Sequence, residues 1–260
     1  MMNVKAQKSY GQHFLKDNNV LNSIVEAIKH NGQALPIIEI GPGMGALTQH
    51  LIKIDVPLTC IEVDNRCVTY LEENYLNKSN DFTLLHADFL KVDLHKIIEH
   101  EALIVGNFPY NISSQIIFKV LDVYEKIPVV IGMFQKEVAE RLAAKHGNKV
   151  YGITSILTQL IYDVEILFDI APESFSPPPK VMSAVIKLSR KKEIRTDFNY
   201  SLFKSIVKTS FNQRRKMLRS SLKQIADKSL LQDAYFDLRP EQLSVDDFIA
   251  LTKKIETYEK

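Results

Sequence analysis

The chain has few cysteines, and this shortage excludes several kinds of site. Its 260 residues include only two cysteines, Cys60 and Cys67. Their spacing does not match the C-x-x-C pattern of a metal or redox site, and Cys60 lies in an apolar run. Both are therefore predicted to be small buried hydrophobic residues. We expect neither a disulfide nor a metal site.

The chain also lacks long apolar runs. No segment approaches the ~20 residues needed to span a bilayer, and the N-terminus lacks the apolar core of a secretory signal. Residues 1–16 contain lysines and no acidic residue, as a transit peptide would. We nevertheless expect no cleaved presequence, because a functional motif begins by Gly11 and no arginine precedes it. We therefore expect a cytoplasmic protein with no membrane partner. We also expect a monomer.

What the chain does contain is a repeated alternation of apolar runs and helical patterns. Apolar runs that read as strands occupy residues 36–40, 58–63, 82–85, 102–105 and 128–134. Two further runs, 164–170 and 181–188, are too close for a helical crossover and are predicted to form an antiparallel end of the sheet. The alternation predicts a doubly wound α/β domain with a Rossmann-like sheet over residues 1–189.

The composition changes at Arg190, where a small all-helical domain is predicted for residues 190–260. Residues 190–223 contain eleven lysines and arginines against two acids, although the formal net charge of the chain is only +2. Such concentration indicates a phosphate-contacting surface, and a solvated helix face is the alternative. The candidates are Arg214, Arg215, Lys216, Arg219 and Lys223. Arg215, Arg219 and Lys223 are predicted to share one side of a helix, with Leu218 and Leu222 facing inward.

The first predicted strand runs into a glycine loop that contains Gly41, Gly43 and Gly45. Glycines at alternate positions let a backbone approach a ligand closely. The next strand ends at Glu62, whose carboxylate can accept both hydroxyls of a ribose. This spacing also occurs in nicotinamide-binding proteins, so a dehydrogenase is one interpretation.

Two features argue against a dehydrogenase. The glycine spacing is G-x-G-x-G rather than G-x-G-x-x-G, and the third strand leads to Asp88, a carboxylate that suits an adenine amine. A ligand with adenine and ribose but no pyrophosphate is S-adenosyl-L-methionine. The sequence therefore predicts a cofactor site for this molecule, with Gly41, Gly43, Gly45, Glu62, Asp88 and Asn107 contributing to it.

The fourth strand leads into Asn107-Phe108-Pro109-Tyr110, a pattern that suits methylation of an amine. The exocyclic amine of adenine is a poor nucleophile, because its lone pair is delocalised into the ring. The side-chain carbonyl of Asn107 and the backbone carbonyl of Pro109 can each accept one N–H, which turns the lone pair toward an electrophile. Tyr110 can stack on the base, a contact worth ~1–3 kcal/mol.

A second aromatic residue, Phe175, begins a loop with three consecutive prolines. Consecutive prolines stiffen a backbone without offering donors, which suits a pocket wall. An adenine drawn out of its stack could then lie between Tyr110 and Phe175. A connector with a buried Phe175 is an equally good interpretation of the residues alone.

The chain resembles the ribosomal RNA adenine N6-dimethyltransferases, and in particular the small-subunit members, over nearly its whole length. Seven blocks carry the resemblance: residues 10–15, 39–45, 61–64, 107–113, 135–142, 175–185 and 211–216. The resemblance implies dimethylation of two adjacent adenosines near the 3′ end of 16S rRNA within the small ribosomal subunit. It also implies a class I methyltransferase sheet and S-adenosyl-L-methionine as the cofactor.

The resemblance further implies roles for individual residues. His13 and Leu15 would line the cofactor site, Gly41 would contact the methionine part, Glu62 the ribose and Asp88 the adenine. Asn107 would lie where methyl and amine meet. Two positions depart from the common pattern: Phe108 replaces a frequent Leu or Ile, and His13 replaces a frequent Asn.

Two other functions remain open from the sequence. A large-subunit rRNA adenine methyltransferase of the antibiotic-resistance type would share the Asn-x-Pro-Tyr site, although blocks 175–185 and 211–216 favour the small-subunit enzyme. A non-catalytic ribosome-assembly factor on the same fold is the other alternative. Intact Glu62, Asp88, Asn107 and Tyr110 argue against it.

Overall fold

The computed structural model describes residues 5–7, 10–31, 34–76, 78–79 and 81–258. The chain forms two compact units: one contains the residues up to Ala139 with Asp163–Arg190, and the other contains Glu140–Tyr162 with the residues from Lys191 onward. The sequence predicts residues 140–162 in the first domain, whereas they lie in the second unit. The reason is packing, because the helix Ile153–Ile161 contacts the helices Tyr200–Asn212 and Val245–Tyr258.

The first unit is built on a seven-stranded sheet. Its strands are β2 (Ile37–Ile40), β3 (Leu58–Glu62), β4 (Phe82–His86), β5 (Leu103–Asn107), β6 (Val129–Gln135), β7 (Tyr162–Ile170) and β9 (Ser183–Arg190). Their order in the sheet is β4-β3-β2-β5-β6-β9-β7. Strands β2 to β6 pair in parallel, and β9 is antiparallel to β6. The predicted Rossmann-like α/β fold, with an antiparallel element at one end, is confirmed.

A two-stranded sheet pairs β1 (Phe14–Leu15) with β8 (Phe175–Ser176). The helices are α1 (Asn18–Asn31), α2 (Thr48–Leu51), α3 (Asn65–Tyr75), α4 (Leu94–Ile97), α5 (Ser113–Leu121), α6 (Lys136–Ala143), α7 (Ile153–Ile161), α8 (Tyr200–Asn212), α9 (Leu218–Ser221) and α10 (Val245–Tyr258). Strand β2 is buried throughout and β5 up to its last residue, which explains their nearly continuous apolar sequence. Cys60 and Cys67 are buried free thiols, as predicted.

The parallel strands place their following residues at one edge of the sheet. Gly41 follows β2, Asp88 lies beyond β4, and β3 and β5 end at Glu62 and Asn107. Ligands in doubly wound sheets bind outside the carboxyl ends of the strands. Residues that are far apart in the sequence therefore meet at a single edge.

Phe108 lies in the core, although the sequence leaves open whether its ring would change the pocket. The side chain is fully buried and packs edge-on against Phe134, with 5.1 Å between the ring centroids. A Cβ atom on Gly132 would overlap Cε2 of Phe108, and one on Gly106 would lie 2.5 Å from the backbone oxygen of Ile40 and 2.9 Å from Cε1 of Phe108. Two glycines on adjacent strands thus accommodate the larger ring.

We expect Gly132→Ala to lower the free energy of unfolding by about 2 to 3 kcal/mol, because the added methyl overlaps the ring of Phe108. Phe108→Leu in the same chain removes the overlap and should recover about half of that loss. Urea unfolding of the two single variants and the double variant measures this coupling. Additive losses would show that the ring of Phe108 is not the reason why glycine is required at position 132.

The second unit contains helices α7 to α10 and a core that includes Phe203, Phe236 and Phe248. Leu218 and Leu222 are fully buried, as predicted. The prediction of one helix through Arg215, Arg219 and Lys223 is wrong. Helix α8 ends at Asn212, turns follow it, and α9 covers only Leu218–Ser221.

No helix within the described ranges is long and apolar enough to cross a membrane. The same ranges contain no group of three or more His, Cys, Asp or Glu side chains arranged to hold a metal ion.

Candidate active site

A cavity of about 610 Å³ opens at the carboxyl edge of the sheet in the first unit. Several parts of the described chain line it: Lys5, Ala6 and Tyr10–Lys16 of the N-terminal segment, the end of β2 with the glycine loop, the residues at the ends of β3 and β4, Asn107–Tyr110 with Ile112, and Ser176 with Pro177. Leu21, Ile24 and Met133 complete the lining. His13, Leu15, Gly41, Gly43, Glu62, Asp88, Asn107, Pro109 and Tyr110 all contribute to its lining. The structure therefore brings most of the predicted site residues together.

The glycine loop requires glycine at two lining positions. Gly41 and Gly43 have φ values of +64° and +58°, a region that other residues rarely adopt. A Cβ atom on Gly41 would lie 3.7 Å from Cδ of Pro109, and one on Gly43 would lie 2.9 Å from the ring of Phe14. The loop thus approaches the Asn-Phe-Pro-Tyr segment and packs beneath the N-terminal segment.

Gly45 has a different role from the one predicted. It does not line the cavity, and a Cβ atom at this position would lie 2.7 Å from Cε2 of Tyr75. Its φ of +77° and its close contact with α3 explain why glycine is needed here. Gly45 shapes the loop and does not contact the ligand space.

Glu62 is held rigidly at one wall. Its Oε2 accepts a hydrogen bond from the backbone N–H of Gly43 at 2.9 Å, and its Oε1 accepts from the N–H groups of Val63 and Asp64, both at 2.9 Å. The residue is only 4% exposed, and this burial raises its pKa, while the three N–H groups oppose the rise. An ionised carboxylate has about four lone-pair sites, so Glu62 keeps about one site for a hydroxyl group.

Asp88 lies half-buried at the neighbouring wall. Its Oδ1 accepts a hydrogen bond from the N–H of Leu90 at 2.9 Å, which fixes the side chain, and its Oδ2 lies 3.8 Å from Nζ of Lys91. The Lys91 contact is solvent-exposed and weak. Oδ2 therefore remains suited to accept a hydrogen bond from an adenine amine.

The amide of Asn107 has a defined orientation. Its Nδ2 donates a hydrogen bond to the backbone oxygen of His13 at 2.7 Å. The bond fixes the position of Nδ2 and leaves the lone pairs of Oδ1 available to accept hydrogen bonds. The carbonyl oxygen of Pro109 accepts from Ile112 N at 3.1 Å and keeps a second lone pair. These are the two acceptors that the sequence predicts for an amine.

Tyr110 lies next to His13 in the cavity wall. The two rings are stacked, with centroids 5.4 Å apart and an angle of 26° between their planes. Nδ1 of His13 donates to the backbone oxygen of Pro177 at 2.8 Å. Leu15, also predicted at the cofactor site, lines the cavity and is otherwise buried in the core.

Phe175 does not form the second aromatic wall that the sequence predicts. Its side chain is fully buried in the core, and it pairs with Leu15 between β8 and β1. Burial of this apolar ring against the core outweighs exposure in the cavity. The neighbouring Ser176 and Pro177 line the cavity in its place.

A polar cluster that sequence reasoning missed fastens the N-terminal segment to β3 and α3. Nε2 of Gln12 donates to Oδ2 of Asp64 at 2.9 Å, and Arg66 donates from Nε to Oδ1 at 3.0 Å and from Nη1 to the oxygen of Lys5 at 3.0 Å. The hydrogen bond from Arg66 lowers the pKa of Asp64 to about 2. The bonds that Gln12 and Lys5 make join residues 52 and 61 positions apart, so a local pattern gives no signal for them.

Glu39 is a buried acid behind the glycine loop, and it is 2% exposed. Burial raises its pKa to about 7, although its Oε2 accepts hydrogen bonds from Thr48 Oγ1 at 2.7 Å and from Cys60 Sγ at 3.4 Å. The nearby Glu62 adds to the rise. Glu39 is therefore expected to change protonation state close to neutral pH.

The stability of the fold should depend on pH through Glu39. Below about pH 4.5 its carboxyl is protonated in both states, and between there and about pH 7 only the unfolded carboxyl loses its proton, so stability falls as pH rises. We expect the difference in free energy of unfolding between Glu39→Gln and the unmodified chain to shift in favour of the variant by roughly 2 to 3 kcal/mol from about pH 5 to about pH 8. Urea unfolding at both pH values measures this, and an unchanged difference would contradict the raised pKa.

The predicted RNA-binding residues fall into two groups. Arg219 forms an ion pair with Asp237 at 2.5 Å, and Arg214 donates to the backbone oxygen of Asn148 at 3.0 Å and lies 3.9 Å from Glu241. Arg215, Lys216 and Lys223 are exposed. The second group therefore offers the more accessible positive charge.

Solved structures show what class of protein the fold and site define. A dimethyladenosine transferase from Plasmodium falciparum is 25% identical, with a TM-score of 0.82 and coverage of 95% of this chain and 98% of that one. The 23S rRNA methyltransferase ErmE shares the fold at 24% identity, with a TM-score of 0.68 and coverage of 94% and 99%. The fold is that of the class I methyltransferases.

Sequence comparison then gives the family. A family model described as ribosomal RNA adenine dimethylase matches residues 3–258. The ribosomal RNA small subunit methyltransferase A of Parabacteroides distasonis is 49% identical over 251 residues, which cover 96% of this chain and 93% of that protein. The chain belongs to the ribosomal RNA adenine dimethylase family.

Proposed function

We propose that the protein dimethylates the N6 amines of two adjacent adenosines near the 3′ end of 16S rRNA, in the small ribosomal subunit, with S-adenosyl-L-methionine as methyl donor. Family membership supports adenine dimethylation, and the near full-length relatives that carry the small-subunit name support the substrate. The single observation that carries the chemistry is the hydrogen bond from Asn107 Nδ2 to the oxygen of His13. The bond fixes the position of Nδ2 and leaves the side-chain oxygen of Asn107 available to accept an N–H of the amine.

The cavity suits an adenosine-containing cofactor without a pyrophosphate. Glu62 ends β3, and Asp88 lies just beyond the neighbouring parallel strand β4. Backbone N–H groups hold both side chains, so they offer acceptors at fixed positions for a ribose hydroxyl and an adenine amine. Gly41 leaves room beside Pro109, close to the residues that would receive the amine. When bound, the cofactor supplies an electrophilic methyl group on a sulfonium.

The chain contributes to methyl transfer chiefly by positioning. Asn107 and the carbonyl of Pro109 accept the two N–H groups of the amine, which directs its lone pair away from the ring. Tyr110 holds the base by stacking. The N–H proton becomes acidic only after the nitrogen has bonded to the methyl group, so water can accept it and no side chain needs to act as general base. Positioning of this kind accounts for large rate effects in other enzymes.

The second unit is proposed to position the RNA through its exposed basic residues. We expect Arg215→Ala, Lys216→Ala and Lys223→Ala each to weaken binding to small subunits. Each should also reduce the slope of log affinity against log salt concentration by about one. Arg219→Ala should have a smaller effect on this slope, because Arg219 pairs with Asp237. Equilibrium binding at several salt concentrations provides the measurement. Equal slopes for Lys216→Ala and the unmodified chain would contradict an RNA contact at Lys216.

Incubation of the purified protein with labelled S-adenosylmethionine and unmethylated small or large ribosomal subunits tests the proposed function. Primer extension then maps dimethyladenosine. We expect two adjacent stops near the 3′ end of small-subunit rRNA. A mark on large-subunit rRNA would instead assign the protein to that substrate, and cofactor binding without methylation of either subunit would refute the proposed activity.

A further inference from the structure

Ser183 lies beside Tyr110 because of the antiparallel strand in the sheet. Strand β9 begins at Ser183, which pairs with Gln135 at the carboxyl end of β6, and β6 lies next to β5. An antiparallel strand brings its first residue to the edge where its parallel neighbours end. Ser183 is therefore placed at the same edge as the residues that follow Asn107, more than seventy positions earlier in the chain.

The hydroxyl groups of Ser183 and Tyr110 form a hydrogen bond of 2.5 Å. Ser183 is fully buried, so water does not compete for its hydroxyl group. The phenol oxygen of Tyr110 lies on the Cβ–Cγ axis about which the ring rotates. A bond to that oxygen therefore fixes the direction of the axis, and it leaves rotation of the ring about the axis unrestricted.

The stacked ring of His13 supplies the complementary restraint. It lies 5.4 Å from the Tyr110 ring, at an angle of 26°, and is itself bonded through Nδ1 to the oxygen of Pro177. A contact on the face of a ring limits rotation about the ring axis. Ser183 and His13 thus restrain different motions of the same side chain, and together they define the plane of the ring.

We propose that Ser183 is a positioning residue for methyl transfer, and that its hydroxyl holds Tyr110 in the orientation that receives the target adenine. This inference rests on the proposed function, because it takes Tyr110 as the surface on which the base stacks. A ring held in advance loses less conformational freedom when the base binds. The contribution of Ser183 therefore passes through the phenol oxygen of Tyr110.

A double-mutant cycle tests this role. Ser183→Ala, Tyr110→Phe and the double variant are compared for kcat and KM on unmethylated small subunits, for cofactor Kd and for Tm. We expect each single variant to lower kcat/KM about three- to tenfold, because one hydrogen bond is lost, and the double variant to lose no more than either. Cofactor Kd should stay within about twofold. Ser189→Ala, a half-buried position at the other end of β9, is the matched control and should leave kcat/KM unchanged.

A second measurement does not depend on methyl transfer. A 2-aminopurine nucleotide loses fluorescence when it stacks on an aromatic ring. The chain has no tryptophan whose emission would interfere with this signal. Ser183→Ala should reduce this quenching, whereas Ser189→Ala should not. Quenching that depends on Ser183 in a protein that methylates neither subunit would retain the inference about Tyr110 and refute only the proposed substrate.

Two results would overturn the inference. One is unchanged kcat/KM and unchanged quenching in Ser183→Ala. The other is a loss from Ser183→Ala in the Tyr110→Phe background as large as in the unmodified chain, which would show that Ser183 acts independently of the phenol. If Ser183→Ala fails to fold, Tyr110→Phe removes the same hydrogen bond at the half-buried phenol, and full activity of that variant would also overturn the inference.

Discussion

Replacing Asn107 with alanine is expected to reduce kcat by at least about 100-fold while cofactor Kd changes less than about fivefold. The variant loses the oxygen that would accept an N–H of the target amine. It also loses the bond from Nδ2 to the oxygen of His13, which restrains the N-terminal segment. That second loss is a single hydrogen bond and accounts for only a small change in cofactor affinity. Single-turnover methylation at saturating cofactor separates the two effects.

The Asn107→Ala result requires a control that makes the same change elsewhere. Asn19→Ala removes an exposed amide from the first turn of α1, outside the cavity. It should retain full turnover and full cofactor binding. If Asn107→Ala instead loses turnover and cofactor affinity to the same degree, Asn107 serves cofactor binding and the assignment to amine orientation is wrong.

Replacing Glu62 with glutamine is expected to raise cofactor Kd about 10- to 100-fold and to leave kcat at saturating cofactor largely intact. The carboxylate accepts three backbone N–H groups and would also accept a ribose hydroxyl. Glutamine has one oxygen and an NH₂ group, so a backbone donor would face another donor. The same mismatch should lower the free energy of unfolding by about 1 to 3 kcal/mol.

Equilibrium dialysis with labelled cofactor measures the binding loss in Glu62→Gln, and urea unfolding measures the stability. Glu26→Gln provides the matched control, because Glu26 is exposed on α1 and pairs with Lys29 at the surface. Both quantities should be unchanged in this control. Unchanged cofactor affinity in Glu62→Gln would show that Glu62 does not bind the cofactor.

The two expected results divide the cavity by function. Glu62 contributes binding that is present before the reaction and persists through it, so its loss should affect affinity. Asn107 contributes an interaction with the reacting amine, so its loss should affect turnover. Two residues at the ends of different strands would then have separable roles within one cavity.

Strand ends could be predicted from the sequence because they depend on short-range signals. Apolar runs defined β2, β3, β4 and β5 to within a few residues. Once these strands are parallel, their carboxyl ends must share one edge, so the meeting of Gly41, Glu62, Asp88 and Asn107 follows from topology. The residue types at those ends then indicated an adenosine-containing ligand and an amine substrate.

Other features depend on contacts that no local pattern contains. Phe175 has the residue type of a stacking wall, but its partner Leu15 in β1 takes it into the core. Gly45 belongs to the glycine spacing, yet Tyr75 of α3 explains why glycine is required. The i, i+4 spacing of Arg215 and Arg219 suggested one continuous helix, whereas α8 ends before Arg215 and Arg219 lies in the separate short helix α9.

The contacts of the N-terminal segment were likewise not predictable. Gln12 reaches Asp64, and the oxygen of His13 orients Asn107. The block at residues 10–15 indicated a place near the cofactor through resemblance, but its hydrogen bonds join positions that only the folded sheet brings together. Ser183 is found in the same way, from the antiparallel register of β9.

A structure of the protein with adenosine monophosphate and an unreactive analogue of the cofactor would test the central claim most directly. We predict that the N6 atom of the target adenine lies about 3 Å from both Asn107 Oδ1 and the carbonyl oxygen of Pro109, with the ring of Tyr110 against the base. An adenine bound elsewhere, or one whose N6 contacts neither oxygen, would contradict the account of amine orientation.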